Sequence, residues 1–329
     1  VHKALHSRAT RALTPLLVVA ALALTACSSN ASHPVGTVRT SGGAGSTASS
    51  GAPHTSASPK PKPGKPVHIK SLLAGDGEQY GVGMPIIVFF SKKITSGKAL
   101  QQATKVTVNG QPLTGGWYFE YSSYYKGYPI EGHWRPQNYW PAHSRVHVDI
   151  PAKGLSAGKG LTFNDSLSLD FLIGPKNISV VNDATHTISV SSDGQHKWTF
   201  PVSLGANDTP TRHGIKVIME KLPTVCMHDI AGTYYECGIK LDQRLTYDGE
   251  YLHSAPWNVY NIEHGVDSSN GCTNLLPADA ATLYHFLEVG DVVEYPNANG
   301  KAMGLGDGYG DWNVTWGAWQ TGGLVSTTA

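Results

Sequence analysis

The chain of 329 residues has little net charge: 25 lysines and arginines against 24 aspartates and glutamates, for a formal charge of +1 at pH 7. No long basic run occurs outside the N-terminal region, which argues against broad electrostatic binding of nucleic acid. There is no Walker loop, no His-Glu-x-x-His and no paired Cys-x-x-Cys, so no motif points to ATP, a nucleotide or a metal. Cysteine is scarce, at four residues. The longest apolar run, Ala12 to Ala23, is short of the roughly 20 residues that span a bilayer. What the chain has in quantity is glycine (37) and proline (20), set among many short runs of Val, Ile, Tyr, Phe and Trp. That pattern predicts a β-rich, turn-rich protein, long enough for about two domains.

The N-terminal region has the layout of an export signal. His2, Lys3, Arg8 and Arg11 precede the apolar stretch, which ends in Leu24-Thr25-Ala26-Cys27. That ending resembles a bacterial lipobox, and predicts a signal over residues 1–27 with Cys27 as the lipidated residue. The alternative is an ordinary signal cleaved near Ala26. A lipoprotein terminus carries several acyl chains and would hold a membrane far better than one chain. Residues 28–66 are low in complexity, first Ser/Gly/Ala/Thr and then alternating Pro and Lys from Pro59 to Pro66. Such a composition cannot bury a core and predicts a disordered spacer.

Over residues 67–174 short alternating strands lie between turn signals, among them Lys105-Val106-Thr107-Val108 before Asn109-Gly110, and Arg145 to Ile150. This predicts an immunoglobulin-like β-sandwich with Trp134, Tyr139 and Trp140 as core aromatics. Over 175–297 a second β-rich unit is expected. It has a hairpin at Asp193-Gly194 and one short helix from Pro277 to Leu287, where Pro suits the first helical position. The tail 298–329 carries Trp312, Trp316 and Trp319, whose spacing predicts one helical face docked on the body.

The chemistry concentrates in the second unit. His253-Ser254-Ala255-Pro256-Trp257 places an imidazole at the end of a strand. Ser269-Asn270-Gly271-Cys272-Thr273-Asn274 places a thiol behind a glycine in a tight turn. A cysteine acyl-transfer enzyme needs these parts: a base for the thiol proton, and backbone N–H groups beside the sulfur. Cys226 and Cys237 lie close together in an expected hairpin and are disulfide candidates in an exported protein. Cys272 is then unpaired. A buried inert thiol is the plainer reading, but the polar, turn-like setting points to an accessible one. His264 is the rival base, in a loop with no visible orienting partner.

These segments resemble the L,D-transpeptidase catalytic domain of the YkuD type, whose pattern is a His followed by Ser/Thr-His-Gly-Cys-x-Asn. His-Ser-Ala-Pro-Trp, Thr209-Pro210-Thr211 and Gly310-Asp311-Trp312-Asn313 resemble its actinobacterial lipoprotein subgroup, in which an immunoglobulin-like domain comes first. The chain departs at Asn270, where the family has His. Asn270 can exchange hydrogen bonds but cannot titrate. The resemblance implies Cys272 as nucleophile, His253 as base oriented through a carbonyl near Ser254, and the amides of Gly271 and Cys272 as oxyanion donors. It implies Tyr235, Met227, Trp257, Ser269 and Asn274 along the substrate cleft, with the Cys226–Cys237 hairpin as a cover. It implies no cofactor and no metal. The expected partners are peptidoglycan stem peptides as donor and acceptor, the membrane through lipid on Cys27, and carbapenem-type β-lactams as covalent inhibitors. The expected location is outside the cytoplasm, facing the cell wall. The competing readings are a noncatalytic wall-binding lipoprotein with a degenerate site, and an enzyme that attaches other amines or proteins to peptidoglycan.

Overall fold

A computed structural model describes residues 64–73, 77–122, 125–228 and 235–328. The export signal, Cys27 and nearly all of the spacer lie outside the described residues. No helix among the described residues is long and apolar enough to cross a membrane. The first ordered strand begins at Lys65, two residues before the expected boundary.

Eleven strands build the N-terminal sandwich: β1 (Lys65–Val67), β2 (Ile69–Ser71), β3 (Gln79–Tyr80), β4 (Ile86–Phe90), β5 (Lys105–Val108), β6 (Gln111–Pro112), β7 (Gly115–Tyr121), β8 (Ile130–Pro136), β9 (Ser144–Ile150), β10 (Leu161–Phe163) and β11 (Leu167–Ile173), with α1 at Lys98–Ala103. They form a four-stranded sheet β2-β4-β8-β7, a five-stranded sheet β3-β11-β9-β5-β6 and the small pair β1-β10. Alternation decides which side chains meet. In β9, Ser144, Val146, Val148 and Ile150 are buried while Arg145 and His147 are exposed. Val146, Val148 and Ile150 share one core with Phe89, Phe90, Trp117, Phe119 and Phe171. Trp134 and Trp140 lie in it, stacked at 5.6 Å, as expected of core aromatics.

The second part is one nine-stranded mixed sheet. Its strands are β12 (Asn177–Asn182), β13 (Thr187–Ser192), β14 (Gln195–Ser203), β15 (Gly214–Val217), β16 (Glu220–His228), β17 (Tyr235–Arg244), β18 (Tyr251–Ser254), β19 (Thr273–Leu275) and β20 (Val292–Tyr295). Their order is β15-β20-β12-β13-β14-β19-β18-β17-β16. The Asp193-Gly194 hairpin forms as expected, with φ of 51° and 78°, the left-handed pair a two-residue turn requires. Short helices α2 (Val259–His264) and α3 (Pro277–Phe286) follow β18 and β19. Helix α3 starts on Pro277, carries Asp279 in its first turn and buries Ala280 and Leu283.

The tail departs from expectation. Its three tryptophans do not share a helical face, because Trp312 sits in a 3-10 turn (Asp311–Asn313) and only Trp316 and Trp319 lie in α4 (Trp316–Trp319). They converge instead on one cation. The Arg135 guanidinium lies 4.6, 5.5 and 4.3 Å from the ring centroids of Trp312, Trp316 and Trp319. Arg135 also donates to Val314 O at 2.8 Å, and the Trp319 indole donates to Gly116 O at 2.8 Å. The chain thus leaves the nine-stranded sheet and returns to cover the outer face of β7 and β8. This is why every residue of β8 is buried, on both faces.

Candidate active site

Strands β18 and β19 run parallel with Leu252 opposite Thr273, His253 opposite Asn274 and Ser254 opposite Leu275. Because successive side chains alternate, the register sorts the motif onto two faces. Leu252 and Leu275 enter the core of the catalytic sheet. Thr273 Oγ1 and the Tyr295 hydroxyl on that side are 2.8 Å apart. The other face carries Tyr251, His253, Cys272 and Asn274 together.

The turn before Cys272 is braced from several directions. Ser269 Oγ donates to Cys272 O at 2.6 Å and accepts Gly271 N–H at 3.2 Å. Thr209 Oγ1 donates to Ser269 O, and Thr211 Oγ1 to Gly271 O, both at 2.9 Å. Gly271 has φ of 101°, a conformation that a side chain strains. Ser269 and the Thr209-Pro210-Thr211 loop therefore position the turn.

His253 is buried, and its Nδ1 lies 3.0 Å from Ser254 O. A carbonyl only accepts, so Nδ1 carries the proton and Nε2 is left as the basic nitrogen. The ring stacks on Trp257 at 5.9 Å, and Trp257 is itself 56% exposed. Burial pulls the imidazole below its ordinary value, against the opposing Ser254 carbonyl. His264 has no part in this arrangement: its Nδ1 lies 2.8 Å from Tyr260 O, its ring stacks on Tyr260 and it is exposed.

Cys272 corrects the expectation of an accessible thiol. It is only 6% exposed. The β16–β17 hairpin covers it, and Val225, Met227 and Ile239 pack with Tyr251 around the sulfur. Cys226 and Cys237 face each other across that hairpin and are disulfide-bonded. Burial pushes the thiol up to about 12, with the Tyr251 amide and the Lys216 ammonium opposing and Glu250 and Asp242 adding to it. The thiol leans on Gly249 O at 3.4 Å. Burial thus disfavours the charged forms of both Cys272 and His253 in this closed arrangement.

Two more expectations change in detail. Gly271 N–H is committed to Ser269 Oγ, so it is not a free oxyanion donor in this closed arrangement. Tyr235, at the start of β17, is 71% exposed, and Ile239 rather than Tyr235 walls the sulfur. Tyr235 to Gly238 are all exposed, and Ile239 is the first residue of β17 to be buried. Asn274 is buried with its Oδ1 unpartnered among the described residues. Asn270 is exposed and lines a cleft of about 410 Å³ with Thr209, Arg212, Asp248, Gly249 and Lys301.

Behind the turn lies a charged network that pattern reading missed. Lys216 of β15, fully buried, donates to Glu250 Oε2 and sits 3.7 Å from the Tyr295 ring centroid. Glu250 Oε1 accepts Arg212 N–H at 2.9 Å, and the Arg212 guanidinium pairs with Asp248 and Asp307. Burial lowers Lys216 and raises Glu250, each opposed by the other's charge. The only sequence signal was a lysine inside the apolar run Gly214 to Ile218, which alone reads as an outward position.

Residues 176–294 match the family model of the L,D-transpeptidase catalytic domain, and residues 40–156 that of a bacterial Ig domain. The chain is 31% identical over 268 residues to L,D-transpeptidase 2 of Mycobacterium tuberculosis, covering 78% of this chain and 63% of that protein. It is 30% identical over 238 residues to L,D-transpeptidase 1 of the same species, covering 69% and 84%. Among solved structures, an L,D-transpeptidase in complex with imipenem is 28% identical with a TM-score of 0.56, covering 71% of this chain and all of that one. The chain thus spans just under two thirds of the length of the first relative and most of the second.

Proposed function

The chain belongs to the L,D-transpeptidase family, and from that premise we propose that it is a peptidoglycan L,D-transpeptidase that forms 3→3 cross-links through a Cys272 thioester. The observation that carries the reading is the placement of His253, oriented by Ser254 O, on the same sheet face as Cys272. When the hairpin lifts, a tetrapeptide stem enters beside Met227, Trp257 and Asn274. His253 Nε2 takes the proton as the sulfur attacks the carbonyl between the third stem residue and the terminal D-alanine. The S–C bond forms, and negative charge gathers on the carbonyl oxygen within reach of the Cys272 amide. Each such donor is worth about 10²–10³ in rate. The C–N bond breaks, the imidazolium protonates the departing amine, and D-alanine leaves. The side-chain amine of a second stem then attacks the thioester, loses a proton to His253 and restores the thiol. Acylation by imipenem follows the same first step, with the β-lactam ring opening instead. Asn270 cannot share the proton and acts through hydrogen bonding in the neighbouring cleft.

The same reading places the protein outside the cytoplasm, held to the membrane by lipid on Cys27. Intact-mass analysis after incubation with imipenem tests the central step. A covalent adduct on the wild type, absent from Cys272→Ala, is expected, together with 3→3 muropeptides from defined stems. The burial of Cys272 favours one second reading, a wall-binding protein whose thiol stays sealed. No adduct and no exchange of D-amino acids in folded wild-type protein would establish that reading instead.

A further inference from the structure

The outer face of the four-stranded sheet carries a cluster that the cross-linking chemistry does not use. Strand alternation puts Glu131, His133 and Arg135 on one face of β8, and the register sets Glu120 of β7 directly across from Glu131. The returning tail covers this face and brings Asp311 against it. Side-chain exposure is 1% for His133, 0% for Glu131 and Asp311, and 13% for Glu120.

Three carboxylates and one imidazole thus share a buried space, and their hydrogen bonds are arranged in a particular way. His133 Nδ1 is 2.8 Å from Asp311 Oδ1. Ser122 Oγ donates to Glu131 Oε2 at 2.8 Å. Four buried atoms of these residues have no hydrogen-bond partner among the described residues: Asp311 Oδ2, His133 Nε2, Glu131 Oε1 and Glu120 Oε1. The last three of these atoms cluster together. His133 Nε2 lies 3.5 Å from each glutamate oxygen, too long for a good N–H···O bond, and all three lie within 4.8 Å of one another. Burying an unpaired charge or polar atom is costly, so an arrangement with three such atoms clustered together calls for a partner.

We propose that Glu120 Oε1, Glu131 Oε1 and His133 Nε2 bind a divalent transition-metal ion of the zinc type. The spacing fits: donor atoms around a tetrahedral Zn²⁺ with bonds of 2.0–2.1 Å stand about 3.4 Å apart. The donor set fits as well, since an imidazole with two carboxylates suits zinc and excludes the all-oxygen preference of calcium and magnesium. The Asp311–His133 contact is the carboxylate–histidine arrangement that orients a ligating imidazole, and Ser122 does the same for Glu131. The ion neutralises two of three buried negative charges. It also ties sandwich strands to the segment that closes the catalytic part, through His133 and Asp311. Glu120, the one partly exposed ligand, provides the entry side.

The test is metal binding by the full chain after EDTA treatment and dialysis, with Zn²⁺ and Co²⁺ as probes. Expected are about one tightly held equivalent of Zn²⁺, an intense tetrahedral Co²⁺ spectrum, and a Tm that rises with added Zn²⁺. Glu120→Gln, at the partly exposed position, should fold and lose at least tenfold in Zn²⁺ affinity. Glu131→Gln should lose more, and Asp311→Asn about 10–100-fold. Folded wild-type protein that takes up no Zn²⁺ or Co²⁺ and whose Tm ignores both would overturn the proposal. So would a Zn²⁺ affinity identical in wild type, Glu120→Gln and Glu131→Gln. Either result would leave a protonated imidazole shared among three carboxylates.

Discussion

Two buried histidines, His253 and His133, show how a partner sets the job of a side chain. Both are at most 3% exposed, and both have Nδ1 engaged. At His253 the partner is the neutral Ser254 carbonyl, burial prevails, and the imidazole is held below its ordinary value. At His133 burial also disfavours charge, but Asp311, Glu131 and Glu120 together outweigh it, and the ring sits well above its ordinary value. A basic nitrogen ready to accept a proton serves chemistry. A nitrogen held among carboxylates serves cohesion, or a metal.

The sharpest way to break this contrast is to exchange the consequences. His253→Gln should slow imipenem acylation by about 10²–10⁴, the usual worth of a positioned base, with little change in Tm. His133→Gln should do the reverse. Removing one member of a buried charged group typically costs about 3–5 kcal/mol, read by urea unfolding, while the acylation rate of the folded fraction stays near wild type. If His133→Gln silenced Cys272 and left stability intact, the contrast would fail.

Next in size is the network behind the turn. Lys216→Met strands Glu250 in the core, and should cost about 3–5 kcal/mol. The pair Lys216→Met with Glu250→Leu should recover much of that loss in the same unfolding measurement. Ser269→Ala removes a hydroxyl that both donates to Cys272 O and accepts from Gly271 N–H. A loss of about 1–3 kcal/mol is expected, with slower acylation because the thiol turn loosens.

The smallest effect is a pH slope. The Cys272 thiol titrates near 9 when unfolded and is pushed up to about 12 by burial in the folded protein. Between those values the folded state keeps a proton that the unfolded state has lost. Stability from this group is therefore full below pH 9 and falls as pH rises toward 12, by at most about 1.4 kcal/mol per pH unit. Unfolding of wild type and Cys272→Ser from pH 8 to 10 should show the steeper decline in wild type.

Much of the local order was legible. Asp193-Gly194 announced its hairpin, Pro277 its helix, and His253 the end of its strand. What escaped depended on contacts distant in sequence. The polar turn around Cys272 suggested exposure, but β16 (Glu220–His228) and β17 (Tyr235–Arg244), distant in sequence, close over the sulfur. Nothing in the sequence marked the Glu131 and His133 face of β8 as buried, and it is dry because the returning tail covers it. Three tryptophans at helical spacing met around Arg135 because two short turns, not one helix, present them. Alternation tells which residues share a face. It does not tell what will cover that face.

The most direct measurement of the central claim, a neutral Cys272 thiol activated by a neutral His253, is the pH dependence of imipenem acylation in wild type and His253→Gln. The account predicts a wild-type rate that falls only below the ordinary histidine value of 6.5 and is flat through neutral pH. It predicts a far slower His253→Gln rate that climbs about tenfold per pH unit as the thiol ionises unaided. Matching profiles in the two proteins, or a thiolate already formed at neutral pH without His253, would contradict it.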